Sequence, residues 1–193
     1  MKNEQGSVLL ISLVLLLILT IVGVASIGGV TMNEKMTVSQ RDYDIAFELA
    51  EAALVQGERW LDDYDVGFSA ADLNEDCVGS TCWTENCTNG LCFRGEHYSD
   101  DDVCVLDVSG TPVWDTETIW DNNSAQYSEN VVAVEKPRIL IEFLCYTPID
   151  VETEPTDPPP YNNEWRRIYR ITSLAYGTHP QTRVMLQSTY RVD

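Results

Sequence analysis

The sequence predicts an α+β protein in which a long N-terminal helix packs on a small antiparallel sheet, with a disulfide-rich irregular region between them. Three features support this class: an apolar opening run, an amphipathic helical pattern that continues it, and alternating strand patterns after residue 130. The expected organisation is a polar start over 1–6, an apolar membrane-spanning half-helix over 7–32, an amphipathic half-helix over 33–61, a cysteine-rich region over 62–130 and the sheet over 131–193.

The apolar run begins at Ser7, and no charged residue follows until Glu34. As a helix, about 25 uncharged residues rising ~1.5 Å each are enough to cross a hydrocarbon core of about 30 Å. A cleaved secretory signal is one alternative, although this run exceeds the usual apolar core of about 7–15 residues. A plain uncleaved anchor is another, and it accounts for the apolar half alone.

An amphipathic helical pattern continues past the apolar run. Apolar and small residues recur at steps of three and four, which is one stripe of a helix, and no proline occurs before Pro112. One helix is therefore predicted from about Ser7 to Leu61, with its first half in lipid and its second half packed on a globular head. The side chains expected to pack on the head are Tyr43, Phe47, Ala50, Leu54 and Leu61.

Six cysteines mark the region that follows the helix. Four of them recur at every fifth residue, and an even count beyond a membrane helix predicts disulfides in an oxidising compartment. The pairing stays open, because six cysteines can pair in many ways. A zinc site is the alternative, although structural zinc sites usually combine two short knuckles, and the uniform spacing lacks that arrangement. The cysteines are Cys77, Cys82, Cys87, Cys92, Cys104 and Cys145.

Glycine, asparagine and aspartate are frequent across 62–130, so this region is expected to be irregular. Short strands are expected at most at 103–106 and around 112–114. The three tryptophans of the region are expected in the core, as bulky apolar side chains usually are; they are Trp83, Trp114 and Trp120.

Strand patterns are clearest after residue 130. Apolar residues alternate over 139–145, and the five prolines of 148–163 predict a loop. Two further strands are predicted over 166–176 and 183–192, joined by a turn at 177–180. Three consecutive antiparallel strands form a meander, and one of its faces is expected to receive the amphipathic helix.

The composition excludes several functions. The net charge is −19, from 12 basic and 31 acidic residues, and such a surface repels phosphate backbones, so no nucleic-acid partner is expected. The acidic clusters do not follow the 12-residue calcium-loop pattern and are expected to be solvated loops. Only two histidines occur, His97 and His179, and no catalytic constellation surrounds either. The sequence therefore predicts no enzyme activity, cofactor or metal.

Both ends of the chain resemble a known family. Residues 5–13 and 46–54 resemble the N-terminal region of PilX-type minor pilins of type IV pili, and residues 169–173 and 184–191 resemble that family's last two strands. The resemblance implies a pilin fold. It also implies that residues 1–6 are a prepilin leader, cut after Gly6 by a prepilin peptidase, so that Ser7 becomes the first residue of the mature chain.

The resemblance gives Ile11 a particular meaning, because it falls at position five of the implied mature chain. Most pilins carry glutamate there, which neutralises the N-terminal amine of the neighbouring subunit. An unpaired carboxylate in lipid costs on the order of several kcal/mol, as any charged side chain does there. It is therefore expected only where a partner compensates its charge. A subunit at the very tip has no neighbour ahead of it, and Ile11 is therefore interpreted as a tip-position signature.

The resemblance thus implies a minor pilin that helps to initiate pilus assembly and forms part of the tip complex, in support of adhesion or motility. The implied partners are other minor pilins, the major pilin, a tip-associated adhesin and the prepilin peptidase. The implied location is the bacterial inner membrane, with the C-terminal domain in the periplasm, and later the pilus tip; Lys2 before the apolar run agrees with this orientation. Two alternatives stay open: a type II secretion tip pseudopilin, and a single-pass membrane protein with a disulfide-stapled periplasmic binding module.

Overall fold

The computed structural model describes residues 5–65, 70–73, 76–94, 111–150 and 165–192. Contacts divide the chain into two compact units, Met1–Asp42 and Tyr43–Asp193. The helix that opens the chain belongs to both units, and every other element belongs to the second.

Helix α1 spans Gln5–Asp65, four residues beyond its predicted end at Leu61. Its first half is built from leucine, isoleucine and valine, and its second half is rich in alanine and glutamate, which favour helix strongly. No proline interrupts either half. The long helix that the sequence predicted is therefore confirmed.

The sheet contains five strands in the described part of the chain. The three long ones are β3 (Arg138–Pro148), β4 (Trp165–Tyr176) and β5 (Arg183–Val192), and they pair antiparallel in chain order. This confirms the predicted meander. Two short strands, β1 (Leu91–Cys92) and β2 (Ala125–Gln126), both pair with β3, β1 in parallel and β2 antiparallel.

The region expected to be irregular thus supplies part of the sheet and a short helix, α2 (Glu117–Asn122). A strand around 112–114 is not found, because Val113–Asp115 forms a 3₁₀ turn that leads directly into α2. The hydroxyl of Thr116 donates to the carbonyl of Pro112 at 3.1 Å and closes this turn. The strand expected at 103–106 lies outside the described residues.

The sheet is covered on both faces. On one face α1 packs against inward side chains of β3 and β4, together with the buried Trp83; this cluster includes Ala53, Leu61, Ile139, Ile141, Tyr169 and Ile171. On the other face the cysteine-rich region and α2 cover Leu140 and Leu174 with Cys87, Cys92, Val113, Ile119 and Trp120, and Trp114 is half-buried against them.

Gly90 permits the close approach of the cysteine-rich region to the sheet. Its φ is +81°, and an added Cβ would lie 2.8 Å from both the Cβ of Ala125 and the carbonyl oxygen of Ile139. Its N–H donates to the carbonyl of Asn123 at 2.7 Å. A side chain at this position would therefore separate β2 from the segment that leads into β1.

Candidate assembly site

The apolar part of α1 has the properties of a membrane span. Val8–Ala25 is long and apolar enough to cross a membrane, and none of its 18 residues is buried. The hydroxyls of Ser12 and Thr20 donate to carbonyls one turn back in the helix, so these polar atoms are satisfied without water. The apolar span supports anchoring of the chain in a membrane.

The residues expected at the leader cleavage site and the tip-position signature lie at the start of this helix. Gly6 and Ser7 are in its first turn, and Ile11 follows about one turn later with 59% of its surface exposed. No acidic side chain occurs between Gly6 and Thr31. Apart from the hydroxyls of Ser12 and Thr20, the span therefore presents an apolar surface, and it carries no carboxylate that could pair with an amine inside lipid.

The face of α1 that packs on the sheet differs from the predicted one. Small residues at helical spacing form it, and Leu61 completes it at the C-terminal end; the buried members are Ala46, Ala50, Ala53, Gly57 and Leu61. Of the predicted packing residues, Ala50 and Leu61 are buried and Leu54 is half-buried against the core.

Tyr43 and Phe47 correct the prediction, because 51% and 36% of their surfaces are exposed. The reason is steric. At Gly57 an added Cβ would lie 2.9 Å from Cγ2 of Ile171 and 3.3 Å from Cγ2 of Ile139, so at this point the helix lies too close to the sheet for a large side chain between them. The large residues are displaced to the flank of the helix. The alanine spacing, which ends at Gly57, was the sequence signal that could have located the true contact face.

Hydrogen bonds fix the rotation of α1 on the sheet. On one flank, Ser188 donates to Oε1 of Glu58 at 3.2 Å, and the hydroxyl of Tyr190 donates to Oδ1 of Asp62 at 2.8 Å. On the opposite flank, Nε2 of Gln56 donates to the hydroxyl of Ser128 at 2.9 Å. Strand β5 therefore lies along the flank of α1 that carries Glu58 and Asp62.

Two disulfides close short loops in the cysteine-rich region. They join Cys77 to Cys82 and Cys87 to Cys92, so each disulfide joins two consecutive cysteines of the sequence. Cys145 is also disulfide-bonded, whereas Cys104 lies outside the described residues. Within the described residues no cysteine is free and no group of three or more His, Cys, Asp or Glu side chains could hold a metal ion.

Tyr64, near the C-terminal end of α1, bonds to residues on both sides of the first disulfide loop. Its hydroxyl donates to Oδ2 of Asp72 at 2.8 Å and accepts from Nε1 of Trp83 at 3.3 Å. Burial raises the pKa of Tyr64 to about 12, and the bond to Asp72 adds to this while the bond from Trp83 opposes it. The hydroxyl therefore stays protonated and acts as a structural donor.

One carboxyl group is held in an environment that disfavours its charge. Glu142 lies between Cys92 and Arg170 in the sheet, and its Oε2 is 3.6 Å from Nη1 of Arg170, too long for a strong hydrogen bond. Burial raises the pKa of Glu142, and the positive charges of Arg170 and Arg94 offset only part of that rise.

Glu142→Gln should reduce the pH dependence of stability. Because the pKa of Glu142 is raised in the folded state, the folded state binds the proton more tightly than the unfolded chain does. The ionised carboxylate therefore lowers stability at a pH above the folded pKa. This loss of stability disappears as the pH falls below the folded pKa. The stability advantage of Glu142→Gln over the parent should therefore shrink as the pH is lowered from neutral to the ordinary carboxyl pKa of 4.5, measured by urea unfolding of the whole chain in detergent. Exposed Glu117→Gln is the control. An advantage that grows toward acid pH would contradict this account.

A helix with an apolar span, packed through its second half on a small antiparallel sheet that disulfides support, defines a pilin-like α+β protein. The family model described as type IV pilus assembly protein PilX, C-terminal part, matches residues 73–192, and the PilX N-terminal model matches residues 5–55. The chain therefore belongs to the PilX family of type IV pilus assembly minor pilins, whose members are structural rather than catalytic. No significant match is found among curated proteins or among solved structures.

Proposed function

We propose that this minor pilin takes part in initiating pilus assembly and forms part of the pilus tip complex. The observation that carries the proposal is Ile11, an exposed apolar side chain at the position where most pilins carry glutamate. A buried carboxylate costs ~2.5–3.5 kcal/mol on insertion scales, and a shaft subunit recovers this by pairing with the amine of the subunit ahead. This chain has neither the carboxylate nor the need for a partner ahead of it.

The proposal is asymmetric with respect to the two neighbours of the subunit. After cleavage behind Gly6 by the prepilin peptidase, the amine of Ser7 is still available to a glutamate from the next subunit. The chain can therefore be followed by other pilins although it cannot pair with one in front. Sibling minor pilins and the major pilin are its neighbours in this proposal, and a tip-associated adhesin caps the complex.

The same proposal places the chain before and after assembly. It crosses the inner membrane once, with the second unit in the periplasm, where the disulfides form. It then moves to the pilus tip at the cell surface, where it supports adhesion or motility as a structural subunit without enzyme activity. Its charge of −19 accords with the absence of a nucleic-acid partner.

Immunogold labelling of pili is the direct test of the tip position. An antibody to the second unit should label pilus ends sparsely, and deletion of the protein should lower the number of pili more than their thickness. The variant Ile11→Glu should fold normally and add labelling along the shaft, because it restores the carboxylate that pairs with the amine ahead. Ile11→Leu is the matched control, since it keeps an apolar side chain of equal size.

Two outcomes would count against the proposal. Regular shaft labelling of the parent protein would show that the tip argument is wrong. The mass of the chain recovered from pili checks processing separately: loss of residues 1–6 is expected, and retention of those residues would refute cleavage behind Gly6.

A further inference from the structure

Strand β5 forms a long and regular sheet edge. In the described part of the chain it pairs only with β4, through ten consecutive residue pairs from Arg183 to Val192 without a register shift. It contains no proline and no bulge, the usual devices by which proteins blunt an edge. Its outer backbone groups therefore form a template for another strand.

An exposed aromatic pair lies on the flank of α1 that runs along this edge. The side chains of Glu58 and Asp62 accept hydrogen bonds from β5. Leu54, Phe47 and Tyr43 precede Glu58 at intervals that keep them on the same flank of α1. The rings of Tyr43 and Phe47 stack with their centroids 6.5 Å apart. A strand added to β5 would place every second side chain over this flank.

The charge of the edge selects the kind of strand that fits. In a chain of net charge −19, β5 carries two arginines, Arg183 and Arg191, and no acidic residue. Both are exposed, and their odd-numbered positions place them with Met185 on the sheet face away from α1. If β5 paired antiparallel with β5 of a second copy in the register that overlaps these residues, Arg183 of one copy would lie opposite Arg191 of the other. Like-charge repulsion disfavours this pairing.

We infer that β5 and the Tyr43–Phe47 pair bind an extended segment of a partner protein by strand addition. In that segment apolar side chains alternate with acidic ones, the apolar ones covering the aromatic pair and the acidic ones lying beside the arginines. Backbone hydrogen bonds supply affinity, and the alternating side chains supply specificity. The inference goes beyond the proposed function and holds equally for a subunit at the tip or in the shaft.

The test uses the full chain in detergent micelles and a synthetic peptide of about ten residues, the length of β5, in which valine alternates with glutamate. The peptide should bind with a Kd below about 1 mM and should slow hydrogen exchange of amides in β5. Phe47→Asn and Arg183→Glu should each weaken binding by about tenfold, because each removes one of the two features that select the strand. A peptide with lysine in place of glutamate should bind the parent weakly and Arg183→Glu more tightly.

Matched controls separate this site from general effects. Val78→Asn changes an exposed apolar residue in the first disulfide loop, and Lys136→Glu reverses a charge beside Ser128, on the flank of α1 opposite β5. Neither should alter binding. Absence of peptide binding at about 1 mM, equal losses in the control variants, or β5 protection that grows with protein concentration alone, which indicates self-pairing, would each overturn the inference.

Discussion

Gly57→Leu is expected to lower the free energy of unfolding of the second unit by about 3 kcal/mol, at the upper end of the usual penalty for overpacking a core. The space between α1 and the sheet at Gly57 does not admit even a Cβ without displacement, because that atom would lie 2.9 Å from the Cγ2 methyl of Ile171. Neither Ile171 nor Ile139 can withdraw easily, since both are buried in the sheet. The helix would have to move away from the sheet and uncover the core beneath it.

The measurement is urea unfolding of the full chain in detergent, followed by tryptophan fluorescence, to which the buried Trp83 and Trp120 contribute. Gly57→Ala should lose less, because the roughly 1 kcal/mol gained in helix propensity offsets part of the overlap. Val55→Leu adds volume at an exposed position of the same helix and should change stability little. A Gly57→Leu protein as stable as the parent would show that α1 does not approach the sheet so closely.

Removing the disulfide between Cys87 and Cys92 is expected to destabilise the protein by about 4 kcal/mol, near the upper end of the range for native disulfides. Loop-closure entropy for a loop of this length contributes about 2 kcal/mol. The remainder comes from packing, since both cysteines are fully buried against Leu140 and Trp120. The variant to test is the double substitution of both cysteines by alanine.

The other disulfide provides an internal control, because Cys77 and Cys82 are also separated by five positions. Entropy therefore contributes equally to both pairs, while in this pair only Cys82 is buried and Cys77 is half-buried. Replacing Cys77 and Cys82 by alanine should cost about 3 kcal/mol, the entropic part and the packing of one buried cysteine instead of two. Equal losses for the two double variants, measured by denaturant unfolding, would contradict the packing argument.

The long elements could be predicted from the sequence because their periodicities extend over many residues. The apolar run from Ser7 spans several helical turns, and alternation extends over 139–145 in β3 and over the length of β5. The family resemblance at both ends of the chain is likewise confirmed.

The short elements could not be predicted, since two residues cannot show an alternation. Strands β1 and β2 are specified by tertiary contacts, for instance by the missing side chain of Gly90 that admits β2 beside it. The disulfide pairing likewise depends on the conformation of loops that carry no periodic signal. The apolar pattern assigns Tyr43 and Phe47 to the contact face of α1 because both side chains are large and apolar. The actual contact face consists mainly of small residues, which allow the helix to approach the sheet closely.

The contacts that close the head join parts of the chain that are synthesised far apart. Glu58 and Ser188 are separated by 130 positions, and Asp62 and Tyr190 by 128. Such long-range closure is slow, and it cannot occur until β5 has reached the compartment where the head folds. Until then Ala46 and Ala50 of α1 lack Val184 and Leu186 of β5, which pack against them in the folded head, on a chain whose apolar span can already be in the membrane. The interval before β5 arrives is therefore when this subunit is most exposed to aggregation and proteolysis, and most dependent on chaperones.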